Sequence, residues 1–155
     1  MSPLSTLLLP DAVFPRLADA SKKQILKTLA TQAETLTGLE AGEIFSVLME
    51  REHAGCTGMG EGIAIPHGRF EELDKIYALA ATLARPIEFG AADGLPVDIV
   101  FMLLTPIAAN TEHLKAMATV SRLLRDRQLS QALRAAKTPE DMYGILTYER
   151  AGDRL

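Results

Sequence analysis

The sequence predicts a single-domain α/β fold, a sandwich in which a mixed β-sheet is flanked by helices. Three observations support this prediction. Apolar residues recur at helical spacing in the first third of the chain, apolar runs of strand length occupy the middle, and helical spacing returns after Pro106. The chain has 155 residues, 48% of them hydrophobic, which is enough to bury one core.

Two helices are predicted in the first third. Ser21 is a suitable N-cap, and the apolar positions that follow it continue at helical spacing to Gly38, a natural helix end. A second amphipathic helix is predicted from about Ala41 to just before Gly55. Its solvent-facing side is expected to carry three glutamates, namely Glu43, Glu50 and Glu52.

Strands are predicted in the middle of the chain. Four glycines between positions 55 and 62 favour a loop, and the apolar run 63–66 then predicts a buried strand with His67 at its carboxyl end. The runs 76–83 and 97–104 predict two more strands in the sheet interior, separated by a turn region rich in Gly and Pro. The order of the strands does not follow from the sequence.

Three helices are predicted to complete the fold. The first spans residues 111–126, and a shorter one spans about 128–136. The last spans 139–146, where Thr138 is a suitable N-cap and Pro139 suits the first helical position.

Composition and charge exclude several classes of protein. A formal net charge of −4 argues against a general nucleic-acid binder. The N-terminus lacks the features of a signal peptide, and no apolar stretch approaches the roughly 20 residues of a membrane helix. Cys56 is the only cysteine, so no internal disulfide can form, and we expect it to be a buried or half-buried thiol. We therefore expect a cytoplasmic protein without membrane insertion.

His67 is the strongest candidate for a chemical role. It is expected at the end of a rigid strand, between Pro66 and the small Gly68, where another protein can reach the imidazole. Neutral imidazole is a nucleophile near neutral pH, and a phosphorylated ring nitrogen passes its phosphoryl group on readily. Phosphoryl transfer also needs nearby donors, which Arg51 and the glycine-rich backbone can supply. The alternative is a structural histidine in or near the core.

The residues around His67 resemble a known signature. Residues 63–68, together with Glu52, Met59 and Gly60, match the active-site signature of type-2 (mannitol/fructose-like) enzyme IIA domains of the bacterial phosphotransferase system. Arg51 and the segments 86–89, 96–98 and 103–106 resemble the nitrogen-regulatory branch of that family. The resemblance implies an enzyme IIA domain over residues 4–148, followed by a short C-terminal tail over residues 149–155.

The resemblance implies roles for three residues. His67 is phosphorylated by an HPr-like histidine phosphocarrier, and His113 hydrogen-bonds within the site or to the phosphoryl group. We also expect His113 in the first turn of the helix after Pro106, where the helix dipole favours an anion. Arg51 is expected to stabilise the phosphoryl group. The simpler alternatives are a surface histidine at position 113 and a solvated arginine at the end of a helix.

Metal and nucleotide sites are less well supported. His53, Cys56, His67 and His113 include enough ligand types for zinc, but no paired ligand spacing is present. The glycine run at 58–62 lacks the lysine of a P-loop and leads into a strand where a dinucleotide motif leads into a helix. We expect no cofactor, no metal and no bound nucleotide, and we treat His53 as a bystander.

The expected function is therefore that of a histidine phosphoryl carrier, a phosphotransferase with a phosphohistidine intermediate on His67. The resemblance implies that its phosphorylation state regulates partners such as potassium-transport components or sensor kinases. The chain ends near Leu155 without a fused sugar-binding segment, so we expect that no transported sugar is required as the acceptor. Two alternatives stay open: a sugar-specific enzyme IIA that passes phosphate to an enzyme IIB, and a purely regulatory binding module.

Overall fold

The computed structural model describes residues 3–148 and shows a six-stranded mixed sheet with five α-helices, so the predicted fold class is confirmed. The tail predicted over residues 149–155 lies outside the described residues. After a 3-10 helix, Pro3–Thr6, the elements follow in this order: β1 Leu8–Leu17, α1 Lys22–Thr37, α2 Ala41–Ala54, β2 Gly58–Gly60, β3 Ile63–Ala64, β4 His67–Phe70, β5 Tyr77–Ile87, β6 Val97–Pro106, α3 Asn110–Leu124, α4 Arg127–Ala135 and α5 Pro139–Thr147.

The predicted helix caps are present. The Ser21 side chain accepts a hydrogen bond from the backbone N–H of Gln24, and Gly38 ends α1 with a left-handed φ of 79°. Thr138 caps α5 in the same way as Ser21 caps α1. Helix α3 ends at Leu124 rather than at the predicted position 126, because the Asp126 side chain caps α4.

Strand β1 is a part of the sheet that the sequence analysis missed. It contains Pro10 and Pro15, and proline weakens a strand pattern because it cannot donate to a ladder. The sheet accepts these prolines because β1 lies at its edge and, among the described strands, pairs only with β5. The strand order is β1-β5-β6-β3-β2, with β4 pairing with β6 as well, and the core lies between this sheet and the helices.

The predicted strand over residues 63–66 is in fact two strands on one edge of β6. Ile63 pairs with Ile99 and His67 pairs with Leu103, so β3 and β4 keep the same register on either side of a break. Pro66 has no N–H, and the N–H of Ile65 donates instead to the carbonyl of Thr57 at 3.0 Å. His67 therefore begins strand β4 rather than following the end of the preceding strand.

Strand β4 lies between α2 and α3. Gly68 approaches α2 so closely that a Cβ added to it would lie 2.9 Å from Cγ1 of Val47. Arg69 bonds to Asn110 at the start of α3. This placement brings both helices to the strand that carries His67.

Candidate functional site

The imidazole of His67 is half-buried and held in one orientation. Its Nδ1 lies 2.9 Å from the carbonyl oxygen of Ile65. Because a carbonyl can only accept, Nδ1 carries the proton of the neutral ring. The lone pair of the ring is therefore on Nε2.

Arg51, in the last turn of α2, reaches this free nitrogen. Its Nε donates to Nε2 of His67 at 3.2 Å, and its Nη1 donates to the carbonyl of Gly55 at 2.7 Å. The second bond ties the guanidinium to the end of its own helix. The structure thus brings Arg51 and His67 together, as the expected role of Arg51 requires.

His113 is the third predicted residue and lies in α3. Its ring centroid is 5.5 Å from that of His67, and its Nδ1 lies 2.9 Å from the hydroxyl of Thr105. Only 8% of the residue is exposed, so the alternative of a surface histidine is wrong. Thr105 at the end of β6 thereby links His113 to the sheet.

Burial lowers the pKa of both rings and so favours the neutral form. Desolvation is the main cause that lowers the pKa of His67, and the charge of Arg51 lowers it further, against the bond to Ile65 and the charge of Glu52. Desolvation also lowers the pKa of His113, with smaller effects in the same direction from His67 and Arg69. A neutral His67 has its nucleophilic lone pair available at physiological pH.

Arg69 is a site residue that the sequence analysis missed. It lies two positions after His67 on β4, and its Nη2 donates to the carbonyl of Ile107 at 2.6 Å and to the side chain of Asn110. Helix α3 has no side-chain cap at Ala109, so Arg69 holds the turn from which α3 starts. The two-residue spacing from His67, typical of one face of a strand, is the signal that could have found it.

Glu52 contradicts the expectation that it faces solvent. The residue is only 6% exposed. Its carboxylate accepts from the backbone N–H and the hydroxyl of Thr57, and it forms an ion pair with Lys22 at 2.7 Å. The amphipathic pattern of α2 carried no sign of this, because the partners come from other elements.

Next to His67 is an open depression of about 380 Å³. Helix α3 forms one wall with Met117, Ala118, Ser121 and Arg125, and the opposite side includes Arg51, Cys56, Gly58 and Met59. His113 does not line this depression. A larger cavity of about 670 Å³ between α4 and α5 contains none of the three predicted site residues.

The remaining candidates have simpler explanations. His53 is exposed at the end of α2. Cys56 is exposed rather than buried or half-buried, because it lies in the loop that borders the depression. Within residues 3–148, no three His, Cys, Asp or Glu side chains are grouped so as to hold a metal ion.

The glycine run at 58–62 forms a tight hairpin. Glu61 and Gly62, the two residues between β2 and β3, both have positive φ, at 58° and 82°, as in a type I′ turn. A Cβ on Gly62 would lie 2.7 Å from Nη2 of Arg134, which donates to the carbonyl of Glu61. These glycines serve the close packing of the hairpin.

A family model connects this geometry with known proteins. The model described as "Phosphoenolpyruvate-dependent sugar phosphotransferase system, EIIA 2" matches residues 6–149. The chain belongs to this family. The resemblance drawn from the signature around His67 is confirmed.

Relatives of this enzyme IIA chain include nitrogen regulatory proteins. It is 46% identical over 144 residues to the nitrogen regulatory protein of Bradyrhizobium diazoefficiens, covering 93% of this chain and 94% of the relative. It is 37% identical over 146 residues to that of Escherichia coli, covering 93% and 89%. The predicted nitrogen-regulatory branch is confirmed.

Solved structures agree with the enzyme IIA fold. The nitrogen regulatory protein IIA-Ntr from Neisseria meningitidis superimposes with a TM-score of 0.88 at 29% identity, over 94% of this chain and 100% of the other. The mannitol IIA of Escherichia coli superimposes with a TM-score of 0.73 at 20% identity, over 88% and 96%, which shows a shared fold. No helix in the described part of this enzyme IIA chain is long and apolar enough to cross a membrane.

Proposed function

We propose that this chain is a histidine phosphoryl carrier that accepts a phosphoryl group on Nε2 of His67 from an HPr-like phosphocarrier. The observation that carries the proposal is the state of the His67 ring. Its Nδ1 proton is bound by the Ile65 carbonyl at 2.9 Å, while Arg51 lies 3.2 Å from the free Nε2. This arrangement combines a nucleophile of fixed orientation with a cation at the atom that reacts.

The proposed step exchanges one N–P bond for another. The lone pair on Nε2 of His67 attacks the phosphorus of the donor's phosphohistidine, the donor N–P bond breaks, and the donor imidazole leaves with that electron pair. The His67 ring gains a formal positive charge. The hydrogen bond from Nδ1–H to the Ile65 carbonyl stabilises this charged ring. The same charge makes the ring a good leaving group, so the transfer is reversible.

Two neighbours support the transfer in this proposal. The guanidinium of Arg51 turns from Nε2 to the phosphoryl oxygens, where negative charge is spread in the transition state. His113, 5.5 Å away between ring centroids, donates to the phosphoryl group or orders the site. The partial burial of His67 and the burial of His113 limit the access of water that would hydrolyse the product.

The family branch supports a proposal of regulation by phosphorylation state. Nitrogen regulatory proteins are among the relatives, so we propose that a cytoplasmic chain binds regulatory targets, such as potassium-transport components or sensor kinases, according to the charge at His67. Phosphorylation adds about −1.5 to −2 charges next to the depression. A change of this size alters the affinity of a partner that covers the site.

A second candidate acceptor is an enzyme IIB. The mannitol enzyme IIA of Escherichia coli, which has a similar fold, was solved in a complex with phosphorylated enzyme IIB. A sugar-specific role would show as transfer from phosphorylated His67 to a purified enzyme IIB. A purely regulatory binding module would bind partners without accepting phosphate at all.

The decisive experiment follows radiolabelled phosphate from a phosphorylated carrier into the chain. We expect acid-labile label in the wild type and in the control His53→Ala, and none in His67→Ala. Acid-labile label in His67→Ala would show that the nucleophile is another residue.

Calorimetry of the binding to a regulatory target distinguishes a protein that only passes phosphate on from one that also regulates a partner. His67→Ala should resemble the unphosphorylated protein. His67→Asp should move only part of the way toward the phosphorylated one, because a carboxylate has one charge and fewer acceptor oxygens. Equal affinities for the wild type, the phosphorylated protein and both His67 variants would mean that His67 does not control the binding and that the protein only passes phosphate on.

A further inference from the structure

An ion pair with a buried carboxylate and a partly exposed lysine lies close to the site without touching its reacting atoms. Nζ of Lys22 in α1 is 2.7 Å from Oε1 of Glu52 in α2, and the Glu52 side chain is only 2% exposed. A buried ion pair is poor evidence for stability, since desolvation offsets much of the attraction. The pair therefore calls for an explanation beyond folding.

A continuous series of hydrogen bonds leads from this pair to the nucleophile. The Glu52 carboxylate accepts from the N–H of Thr57 at 3.1 Å and from its hydroxyl. The carbonyl of Thr57 accepts from the N–H of Ile65 at 3.0 Å. The carbonyl of Ile65 accepts from Nδ1 of His67 at 2.9 Å.

The two segments in this series lie outside the regular helices and strands. Thr57 lies in a loop between Gly55 and Gly58, outside any helix or strand. Ile65 lies in the break between β3 and β4, where the ladder with β6 is interrupted. The bond to Thr57 holds the N–H of Ile65, in addition to the burial of its side chain and to the bond from the N–H of Leu103 to the carbonyl of Pro66 at 2.9 Å, and Glu52 in turn holds Thr57.

Lys22 holds the far end of the series in place. Besides Glu52, its Nζ donates to the carbonyl of Phe89 at 3.2 Å and lies 4.6 Å from the centre of the Phe89 ring. These contacts attach the Glu52 carboxylate to α1 and to the segment after β5. The carboxylate is thus held by the Thr57 loop, by α1 and, through Lys22, by the segment after β5.

We infer that Lys22 and Glu52 are positioning residues that act through Thr57 and Ile65 to keep the proton of His67 on Nδ1 and its lone pair on Nε2. The inference rests on the proposed function, because it assigns these residues to the presentation of the atom that accepts phosphate. Neither residue touches the phosphoryl group. Without this anchor, the Ile65 carbonyl turns away and His67 distributes its proton over both nitrogens.

The test replaces the ion pair by apolar residues of similar volume. In Lys22→Met/Glu52→Leu no charge stays buried without a partner, so the fold is expected to survive. The matched control is Lys23→Met/Glu50→Leu, which removes the same two charges from exposed neighbours on the same helices. Lys22→Arg keeps the ion pair and serves as the conservative variant.

Two measurements are made on each folded protein: the tautomer of His67 by ¹⁵N NMR, and the rate of phosphate acceptance from a phosphorylated carrier. We expect the Nδ1–H tautomer and normal rates in the wild type, the control and Lys22→Arg. In Lys22→Met/Glu52→Leu we expect both tautomers and acceptance about tenfold slower, since small errors in the placement of a reacting atom are costly.

A folded double variant with the wild-type tautomer and rate would overturn the inference and leave the proposed function intact. If the wild type accepts no phosphate, the proposed function fails, while the tautomer comparison still tests the positioning. Should the double variant not fold, Glu52→Gln against Glu50→Gln replaces it. A tautomer that is the same in both of those variants counts against the inference.

Discussion

Nε of Arg51 lies 3.2 Å from Nε2 of His67, the ring nitrogen left free by the bond of Nδ1 to the Ile65 carbonyl. The arginine thus occupies the position that an incoming phosphoryl group would take in the proposed function. In the proposed transfer, the guanidinium exchanges one acceptor, the ring nitrogen, for others, the phosphoryl oxygens. The contact places the cation beside the nitrogen that we propose as the nucleophile.

Arg51→Ala is expected to slow phosphate acceptance by about 100- to 1000-fold, the usual cost of losing one donor to a developing charge. The rate of Arg51→Lys should lie between those of the wild type and Arg51→Ala. An ammonium group keeps the charge but cannot reproduce a guanidinium that bonds at two sites. The measurement is the initial rate of label transfer, with the exposed Arg122→Ala as control. A rate for Arg51→Ala within twofold of wild type would remove Arg51 from the site.

His113→Ala should lower the acceptance rate by about 10- to 100-fold without abolishing it, since His113 supports the nucleophile rather than replacing it. His113→Gln keeps a donor bonded near Thr105 and should recover part of the loss. His53→Ala, at the exposed end of α2, provides the comparison. Loss of all label in His113→Ala, with the fold intact by NMR, would mean that the roles of the two site histidines have been misassigned.

The lowered pKa of His67 predicts how acceptance depends on pH. The unperturbed pKa of histidine is about 6.5, and desolvation together with the charge of Arg51 moves the pKa of His67 below this value. The ring therefore stays neutral and nucleophilic as pH falls to 6.5, and the rate declines only at lower pH. A stopped-flow rate profile from pH 8 to pH 5 checks this, with the carrier's own titration measured separately. A decline centred above pH 6.5 would contradict the burial argument.

The same shifts affect stability. The pKa values of His67 and His113 are both lowered in the folded protein, so the unfolded chain binds more protons once pH falls below 6.5. The free energy of unfolding should then decrease as pH falls from 6.5 through the folded-state pKa values. His67→Gln should reduce this dependence in urea unfolding at pH 7.5 and 5.5, whereas His53→Gln is the control. An unchanged dependence in His67→Gln would mean that His67 titrates alike in both states.

Gly68→Ala should destabilise the protein by about 1–3 kcal/mol, the usual cost of overpacking. Its new Cβ would lie 2.9 Å from Cγ1 of Val47 in α2, and a β-branched side chain has little freedom to move away. Val47→Ala should recover much of this loss when combined with Gly68→Ala. Urea unfolding of both single variants and the double variant measures the coupling. If the losses of unfolding free energy in the two single variants simply add in the double variant, the contact with Val47 is not the cause of the destabilisation.

Local rules in the sequence predicted much of the helical structure. Ser21 and Thr138 cap their own helices, and Gly38 ends α1, because these interactions join residues only a few positions apart. The signature around His67 likewise indicated the family from residue types at short spacing. Features of this kind are displayed directly by a sequence.

The features that the sequence analysis did not predict share a different cause. Strand β1 is stabilised by its pairing with β5, and Glu52 can be buried because Lys22 and Thr57 neutralise its charge and satisfy its oxygens. Residues 63–66 are divided because Pro66 has no N–H to donate to β6, while the N–H of Ile65 bonds to Thr57. In each case the partner comes from another element.

By itself, the sequence determined that this protein is a mixed α/β enzyme IIA chain and that His67 is its principal candidate nucleophile. The tertiary structure alone decided which nitrogen of His67 is free, how close Arg51 and His113 lie to it, and that Arg69 secures the start of α3. The reason is physical. Hydrogen bonds, burial and charge act through space, and the bond from Arg69 to Asn110 joins residues 41 positions apart.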